Sequence, residues 1–481
     1  MAMFTLCGVS IGLLGRSPRG LLLTALTVTL TAPLVYLAVR KRLDLFEPLT
    51  ISNLALAVMF IARPLVDLNA GYPMHLGYAV MPTFDLALAL ALAGAAAFQL
   101  GYLGRWGERL APHLPRLPAD IHTDTAVAAT ALVVILGVGA YAIFLMQSGG
   151  VGTLASLLSG RRPEQNEVFL ASTGYLYQGL LVSAPAALIF VGLWQRARRG
   201  VLFVMGLGAG LLLAISAAAT GTRSSLLPLA LAPAVFLYMS RDKRPRIAGL
   251  LVLAYLVLTL GIGFLGEYRV YGSAANRSPG EAAMQNLVHP FETLQQTIAG
   301  GDADMFDSLA NEASIVPSQL PYQHGALIRD VFVRAIPRPL MPTKPMEAND
   351  RMVQWLWPSH YALSRASAAF SFVGALYLDS GVPAVLVGMF VLGATFRMLW
   401  VYFQRSKDGI CYQLMYSMSL PYTVILLRGT LQDTLSRMLF TVGPLALVIF
   451  LAARRERLLR PPLDDGPSVG AHSVDRGGWR G

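Results

Sequence analysis

Charge is scarce in this chain: 14% of its 481 residues are Asp, Glu, Lys or Arg, against roughly 25% in soluble domains, which excludes an ordinary water-soluble fold. Lysine is scarcer still. Only Lys41, Lys243, Lys344 and Lys407 occur, so the positive charge is almost entirely arginine. The two cysteines, Cys7 and Cys411, lie far apart and imply no disulfide framework. There is no HExxH, no paired cysteine motif, no Walker sequence and no GxSxG, which removes the sequence grounds for a metal-dependent hydrolase or an ATP-driven pump. No cofactor and no metal are expected. Internal repeats are absent, and no symmetry relates the halves of the chain, whereas such symmetry marks many transporters.

What is present is apolar sequence, 55% of all residues, in runs long enough to cross a hydrocarbon core of about 30 Å at about 1.5 Å per residue. These runs fall at about 21–39, 49–66, 84–104, 126–146, 173–194, 200–218, 225–240, 247–266, 381–400, 411–427 and 437–453. The expected architecture is therefore an all-α polytopic membrane protein with eleven transmembrane helices. Residues 1–15 form a short apolar stretch without a basic leader, a poor cleavable signal but a candidate twelfth, partial segment. Four parts follow: helices 1–8 in 1–266, one large loop over 267–370, helices 9–11 in 371–453, and a Gly, Pro, Ser and Asp rich tail, 454–481, expected to be disordered.

Short basic connections set the orientation. Arg40 to Arg42, Arg105 to Arg116, Arg196 to Arg199, Arg241 to Arg246, Arg405 to Lys407 and Arg454 to Arg460 follow alternate helices, and the positive-inside rule makes them cytoplasmic. The same parity puts 67–83, 147–172, 219–224, 267–370 and 428–436 outside, in a bacterial envelope the periplasm.

A dozen arginines nevertheless fall outside, among them Arg63, Arg161, Arg162, Arg223, Arg329, Arg334, Arg338 and Arg428. Guanidinium groups are always charged and grip phosphate oxygens through a planar fork, so an arginine-rich outer face suits a pyrophosphate; lipid headgroup contact and a bias for Arg over Lys are the bland alternatives. Arg223 stands in Ala-Thr-Gly-Thr-Arg-Ser-Ser, a tight polar link with hydroxyls and a helix start that favours an anion, or simply a cap. Arg428 ends a helix in Leu-Leu-Arg-Gly-Thr, where charge near the bilayer is costly unless paired or functional, or snorkels. Arg161 and Arg162 face Glu164 and Glu167 in sequence and are candidate ligand contacts or a self-neutralised surface pair.

In the large loop, Leu287, Phe291, Leu294 and Ile298 predict an amphipathic helix over 281–299, and Leu327, Ile328, Val331 and Phe332 a second over 326–336, lying on the membrane or on the bundle. Pro337, Pro339, Pro342 and Pro345 then predict a stiff extended segment presenting Arg338 and Lys344. Trp355, Trp357 and Tyr361 are candidates to stack on sugars, an interfacial belt being the alternative. His360 is a candidate base, or a plain polar loop residue.

Taken in order, several strings resemble the bacterial O-antigen polymerase family, the Wzy-type oligosaccharide repeat unit polymerases. They are 219–229 with Arg223; Gly149-Gly150, Arg161 and Gly174-Tyr175-Leu176-Tyr177; Ile336-Pro337-Arg338-Pro339 with Lys344-Pro345; Phe372 to Gly381; and Arg428-Gly429. Ala375 stands where the resemblance leads one to look for an acid, and Asp379-Ser380 where Asn-Phe is commoner, which leaves the base unassigned. The resemblance implies transfer of a glycan from one polyprenyl-pyrophosphate carrier to another at the periplasmic face of the inner membrane. Arg223, Arg428 and Arg338 would then be catalytic, and Arg161, Arg162, Arg329, Arg334, Lys344, His360, Trp355 and Trp357 would contact substrate. Expected partners are the lipid-linked oligosaccharide, membrane lipid and a chain-length-regulating membrane protein, with no nucleic acid. An O-antigen ligase with the same donor is the nearest rival reading, and a lipid-linked-oligosaccharide flippase or other transporter the non-enzymatic one.

Overall fold

The computed structural model describes residues 17–150 apart from 72, 76 and 149, together with 174–220, 226–240, 288, 303–336, 340–341, 348–364 and 370–459. Its first helix, α1 (Pro18–Val39), starts as the sequence dictates: Pro18 needs no N–H partner at a helix start, and the Ser17 hydroxyl accepts from the Gly20 N–H at 3.1 Å. There follow α2 (Pro48–Asn69), a two-stranded hairpin of β1 (Met74–His75) and β2 (Tyr78–Ala79), α3 (Met81–Leu103), α4 (Thr123–Gln147), α5 (Gln178–Ala197), α6 (Gly200–Thr220) and α7 (Leu226–Met239). Then come α8 (Met305–Ile315), α9 (Ala326–Ala335), α10 (Ala348–Leu356), α11 (Pro358–Ser364), α12 (Phe372–Gln404), α13 (Ile410–Arg428) and α14 (Leu431–Leu459).

Eight of these, α1 to α5 and α12 to α14, are long and apolar enough to cross a membrane, and α6 and α7 contain shorter apolar helices. The chain is an all-α membrane protein. Each of these ten lies on an apolar run read from the sequence. The eleventh run, 247–266, and the amphipathic helix over 281–299 lie outside the described residues apart from Val288, as do the segment 342–347 and the tail beyond 459.

Helices with few large polar groups associate in lipid through close backbone approach and buried hydrogen bonds, and both are present. Where α3 crosses α12, a Cβ on Gly101 would meet the Phe390 carbonyl oxygen at 2.0 Å and one on Gly393 the Phe98 carbonyl at 2.2 Å. A polar thread ties α1, α2 and α3: Asn53 donates to the Leu30 carbonyl at 2.9 Å, and Gln99 donates to Asn53 at 2.6 Å. One apolar core joins α1, α2, α3, α8 and the start of α12; a second joins α4 to α7, α13 and α14.

The basic connections that lie among the described residues meet at one end of the bundle. Tyr102 donates to Glu47 at 2.8 Å, Arg397 reaches Glu47 at 3.6 Å and Glu108 at 2.6 Å, and the Leu117 N–H donates to the Tyr412 hydroxyl at 3.0 Å. Arg196 pairs with Asp120, Tyr416 donates to the Phe46 carbonyl, the Phe46 and Tyr238 rings touch edge to face, and Ser240 donates to Gln195. The other end gathers the start of α1, the end of α2, the hairpin, α8, α9 and the start of α12, through Arg19 with Asp85, Arg63 with Asp307, Thr83 with the Ala310 carbonyl and Asp379 with Leu327.

Two features depart from the sequence reading. The sequence marks two amphipathic helices in the loop 267–370 and does not mark α8, which is buried along nearly its whole length because apolar Met305, Phe306, Leu309 and Ile315 surround the helix and draw its polar residues inside with them. The crossing expected at 381–400 begins earlier, at Phe372, and is broken at Ser380 and Gly381; Gly381, at φ 71°, lies so near the Tyr322 ring that an added Cβ would sit 3.0 Å from it. The carbonyls freed by the break are satisfied from outside the helix. The Gln323 N–H donates to the Leu378 carbonyl at 3.0 Å, the His324 N–H donates to that of Asp379 at 2.8 Å, and the Asp379 carboxylate accepts the Leu327 N–H at the start of α9 at 3.2 Å.

Candidate functional site

The end opposite the basic connections carries a buried cluster of acids and arginine. In α2 a π-helical turn, Val58–Ala62, comes just before Arg63, a local widening common where helices build sites. Arg63 forks onto Asp307 of α8, Nε to Oδ2 at 3.1 Å and Nη2 to Oδ2 at 2.5 Å, and reaches Asp67 one turn along at 3.4 Å. All three side chains are buried, and a buried charge persists only where it is paired. With two carboxylates against it, Arg63 holds the cluster together instead of offering its fork to a phosphate.

The hairpin inserts His75 into this cluster, its return permitted by Gly77 at φ 91°. The imidazole lies between Asp304 (Nε2 to Oδ2, 3.7 Å) and Asp307 (Nδ1 to Oδ2, 3.8 Å), with the Ser308 hydroxyl at 3.5 Å, while Asn311 donates to the His75 carbonyl at 3.3 Å. Trp357 meets the imidazole edge to face at 5.1 Å and stacks on Phe370 at 5.8 Å. Asp304, Ser308 and Asn311 are spaced along one face of α8.

Asp304 caps the start of α8, and Arg428, at the end of α13, is a charge partner. Burial, reinforced by the negative charge of Asp307 and opposed by Arg428 and Arg63, pushes its carboxyl from 3.8 to about 7. On another face of α8, Glu312 is fully buried against Gly374 at the start of α12, so close that a Cβ there would meet its Oε2 at 2.6 Å. Neither carboxyl oxygen has a partner of good hydrogen-bond geometry. Burial raises its pKa well above the ordinary 4.5, opposed by the backbone at Leu378, and so favours the protonated carboxyl.

Of the residues picked out by sequence, Arg428 joins this cluster, half-buried at the end of α13. Arg329 lies on the exposed side of α9 and pairs with its neighbour Asp330 at 3.1 Å, while the backbone of Arg334 belongs to the same helix. Trp355 is exposed on α10. Trp357, read as a sugar platform or belt residue, is instead buried beneath His75. The backbone of His360 lies in α11. Arg161, Arg162, Arg223, Arg338 and Lys344 lie outside the described residues. Sequence reasoning passed over His75, Asp304, Asp307 and Glu312. The available signal was a run of acids in the sequence, Asp302, Asp304, Asp307 and Glu312, interleaved with apolar residues without one polar side.

Chemically, an acid poised near neutrality beside an arginine can take a proton from a hydroxyl while the cation meets developing negative charge. No group of three or more His, Cys, Asp and Glu side chains is placed to hold a metal ion among the described residues. These features define an all-α membrane protein with a buried acid and arginine cluster at one end. Residues 296–405, from just before α8 to just past the end of α12, match a family described as a domain of unknown function (DUF8712). No curated protein and no solved structure matches the chain.

Proposed function

We propose that this protein is a glycosyltransferase of the bacterial inner membrane that polymerises polyprenyl-pyrophosphate-linked oligosaccharide repeat units into O-antigen or exopolysaccharide chains at the periplasmic face. The observation that carries the reading is the buried Asp304, Asp307, His75 and Arg63 cluster, with Arg428 as a charge partner of Asp304, at the end of the bundle opposite the basic connections, the end that the positive-inside rule assigns to the periplasm. Ser240 belongs to the basic end and Asp304 to the other, so the chain between them has to link the two ends. A crossing by the apolar run 247–266 fits that requirement and gives eleven crossings in all.

In the proposed step, the ionised Asp304 takes the proton of an acceptor hydroxyl as its oxygen bonds to the anomeric carbon of the donor. The bond from that carbon to the pyrophosphate breaks, and the leaving group departs with the electron pair, its charge met by Arg428 and, on the sequence resemblance, by Arg223 and Arg338. Asp304 thereby fills the role of base that the sequence left open. A transporter is favoured by one specific observation, the break in α12 beside titratable buried acids, an arrangement that transporters also use.

The test is an assay of purified protein with a lipid-linked repeat unit, run with and without EDTA. The expected result is a polymer ladder that survives the chelator and is lost in Asp304→Asn. A ladder abolished by EDTA and restored by magnesium refutes the metal-independent mechanism. No ladder from an authentic substrate moves the assignment to ligase or transporter, which transfer to a lipid A core acceptor or flux across vesicles then separates.

A further inference from the structure

His75 is a titratable group of the buried cluster to which the proposed step gives no part. The hairpin carries it inward, Asn311 of α8 donates to its backbone carbonyl at 3.3 Å, and Trp357 meets its ring edge to face at 5.1 Å. So held, each ring nitrogen faces a different acid. Nδ1 lies 3.8 Å from Oδ2 of Asp307, while Nε2 lies 3.7 Å from Oδ2 of Asp304 and 3.5 Å from the Ser308 hydroxyl.

The two acids differ in what else they meet. Oδ2 of Asp307 is the oxygen gripped by the Arg63 fork, and Arg63 also reaches Asp67. A carboxylate oxygen in that position only accepts, so the imidazole hydrogen belongs on Nδ1 and the Nε2 lone pair is turned to Asp304. Asp304 has Asp307, Arg428 and Arg63 as its charged neighbours. Ser308 can donate or accept, so it suits Nε2 with or without a proton. This geometry meets a requirement of the step. Burial favours the protonated carboxyl of Asp304, yet only the carboxylate is a base.

We propose that His75 is a positioning residue that holds a proton for Asp304, so that the two pass between a neutral pair, acid beside imidazole, and an ion pair in which Asp304 is the carboxylate base. In forming the ion pair the Asp304 O–H bond breaks and an Nε2–H bond forms. The imidazolium is then met on both sides, by Asp304 and by Asp307. The Asp304 carboxylate takes the acceptor hydroxyl's proton as the new glycosidic bond forms, and the pair, now carrying one proton more, loses it to water when product leaves. This part in the reaction rests on the glycosyl transfer reading; the proton sharing between His75 and Asp304 does not.

Two measurements on the full-length protein in nanodiscs test it, and the first needs no substrate. With the histidine rings labelled with nitrogen-15, NMR of the parent is expected to show an imidazole that carries its hydrogen on Nδ1 alone in alkaline buffer and gains a second on Nε2 as pH falls. In Asp304→Asn the same signal should gain that proton about one pH unit lower, the smaller end of what an opposite charge at this distance does to a neighbour. An Nε2–H tautomer in alkaline buffer, or no histidine whose titration responds to Asp304→Asn, overturns the proposal. The second measurement is the pH profile of polymer formation in His75→Asn, whose amide keeps an N–H for Asp307 and cannot take a proton from Asp304. Its rate below neutral pH should fall about tenfold, one pH unit on the acid limb, and recover in alkaline buffer where Asp304 ionises unaided. A loss equal at every pH is a structural effect and overturns the role in the reaction. If an authentic substrate gives no polymer even in the parent, the polymerase reading fails, and the NMR titration by itself upholds or overturns the proton sharing.

Discussion

Replacing Asp304 by Asn should make the protein more stable above neutral pH while abolishing its activity. The Asp304 carboxyl is shifted from 3.8 to about 7 in the folded chain, chiefly by burial. Between these values the unfolded chain has released this proton and the folded chain still holds it, so stability falls as pH rises. The contribution is fully present below pH 3.8 and lost as pH passes about 7. Each pKa unit corresponds to about 1.4 kcal/mol, so the whole span is worth up to about 4 kcal/mol, and about 3 kcal/mol of it falls between pH 5 and pH 8. Asn cannot ionise. In unfolding titrations in mixed micelles at a series of pH values, the stability of Asp304→Asn relative to the parent should therefore rise by about 3 kcal/mol across that window. Glu312, also raised by burial, is common to both proteins and cancels in the difference. Parallel profiles for the two proteins would refute a carboxyl held neutral in the fold, and with it the base assigned above. A more stable, inactive Asp304→Asn is what a strained functional acid predicts, since sites of this kind exchange stability for chemistry.

Breaking the buried fork by Arg63→Met should destabilise the protein by about 3–5 kcal/mol, read in the same titrations, because Asp67 and Asp307 are then left facing each other; a loss below about 1 kcal/mol would make the pair equivalent to a surface ion pair. Glu312→Gln should leave stability at pH 7 within about 1 kcal/mol of the parent, since burial favours the protonated carboxyl and the amide has the same shape, whereas Glu312→Ala should lose about 2 kcal/mol or more to the cavity. Arg428→Lys keeps the charge and loses the planar fork, so polymer formation should fall with expression unchanged; full-length polymer would reduce Arg428 to an interfacial anchor. Reporter fusions should place 240–246 in the cytoplasm and 303–336 outside, and a fusion showing 240–246 outside would reverse the face assigned to the cluster.

The spanning helices were legible because lipid imposes one requirement on every crossing, a run of apolar residues long enough to bury its backbone hydrogen bonds. Periodicity likewise marked α9 and its end at Ile336, where Pro337 forbids continuation. The interior of α8 was not legible. Amphipathic patterns identify helices with one wet side, and α8 has none: Asp307 answers Arg63, Asn311 answers His75 and Glu312 sits against Gly374, each on a different element far away in sequence. A polar residue whose partner lies more than two hundred positions off, as Asp307 does from Arg63, reads locally as a surface residue. The arginine count alone does not say which arginines are spent inside the protein. Arg63 was one outside arginine among a dozen, and only the two carboxylates packed against it show that its charge is spent inside the protein. Arg428, by contrast, stands out in the sequence at a bilayer edge, and it is a charge partner of Asp304, an acid that burial raises toward neutrality. Arg63 is gripped by Asp307 from a distant element, whereas Arg428 is coupled to an acid that burial raises toward neutrality, and no local pattern in the sequence separates the two.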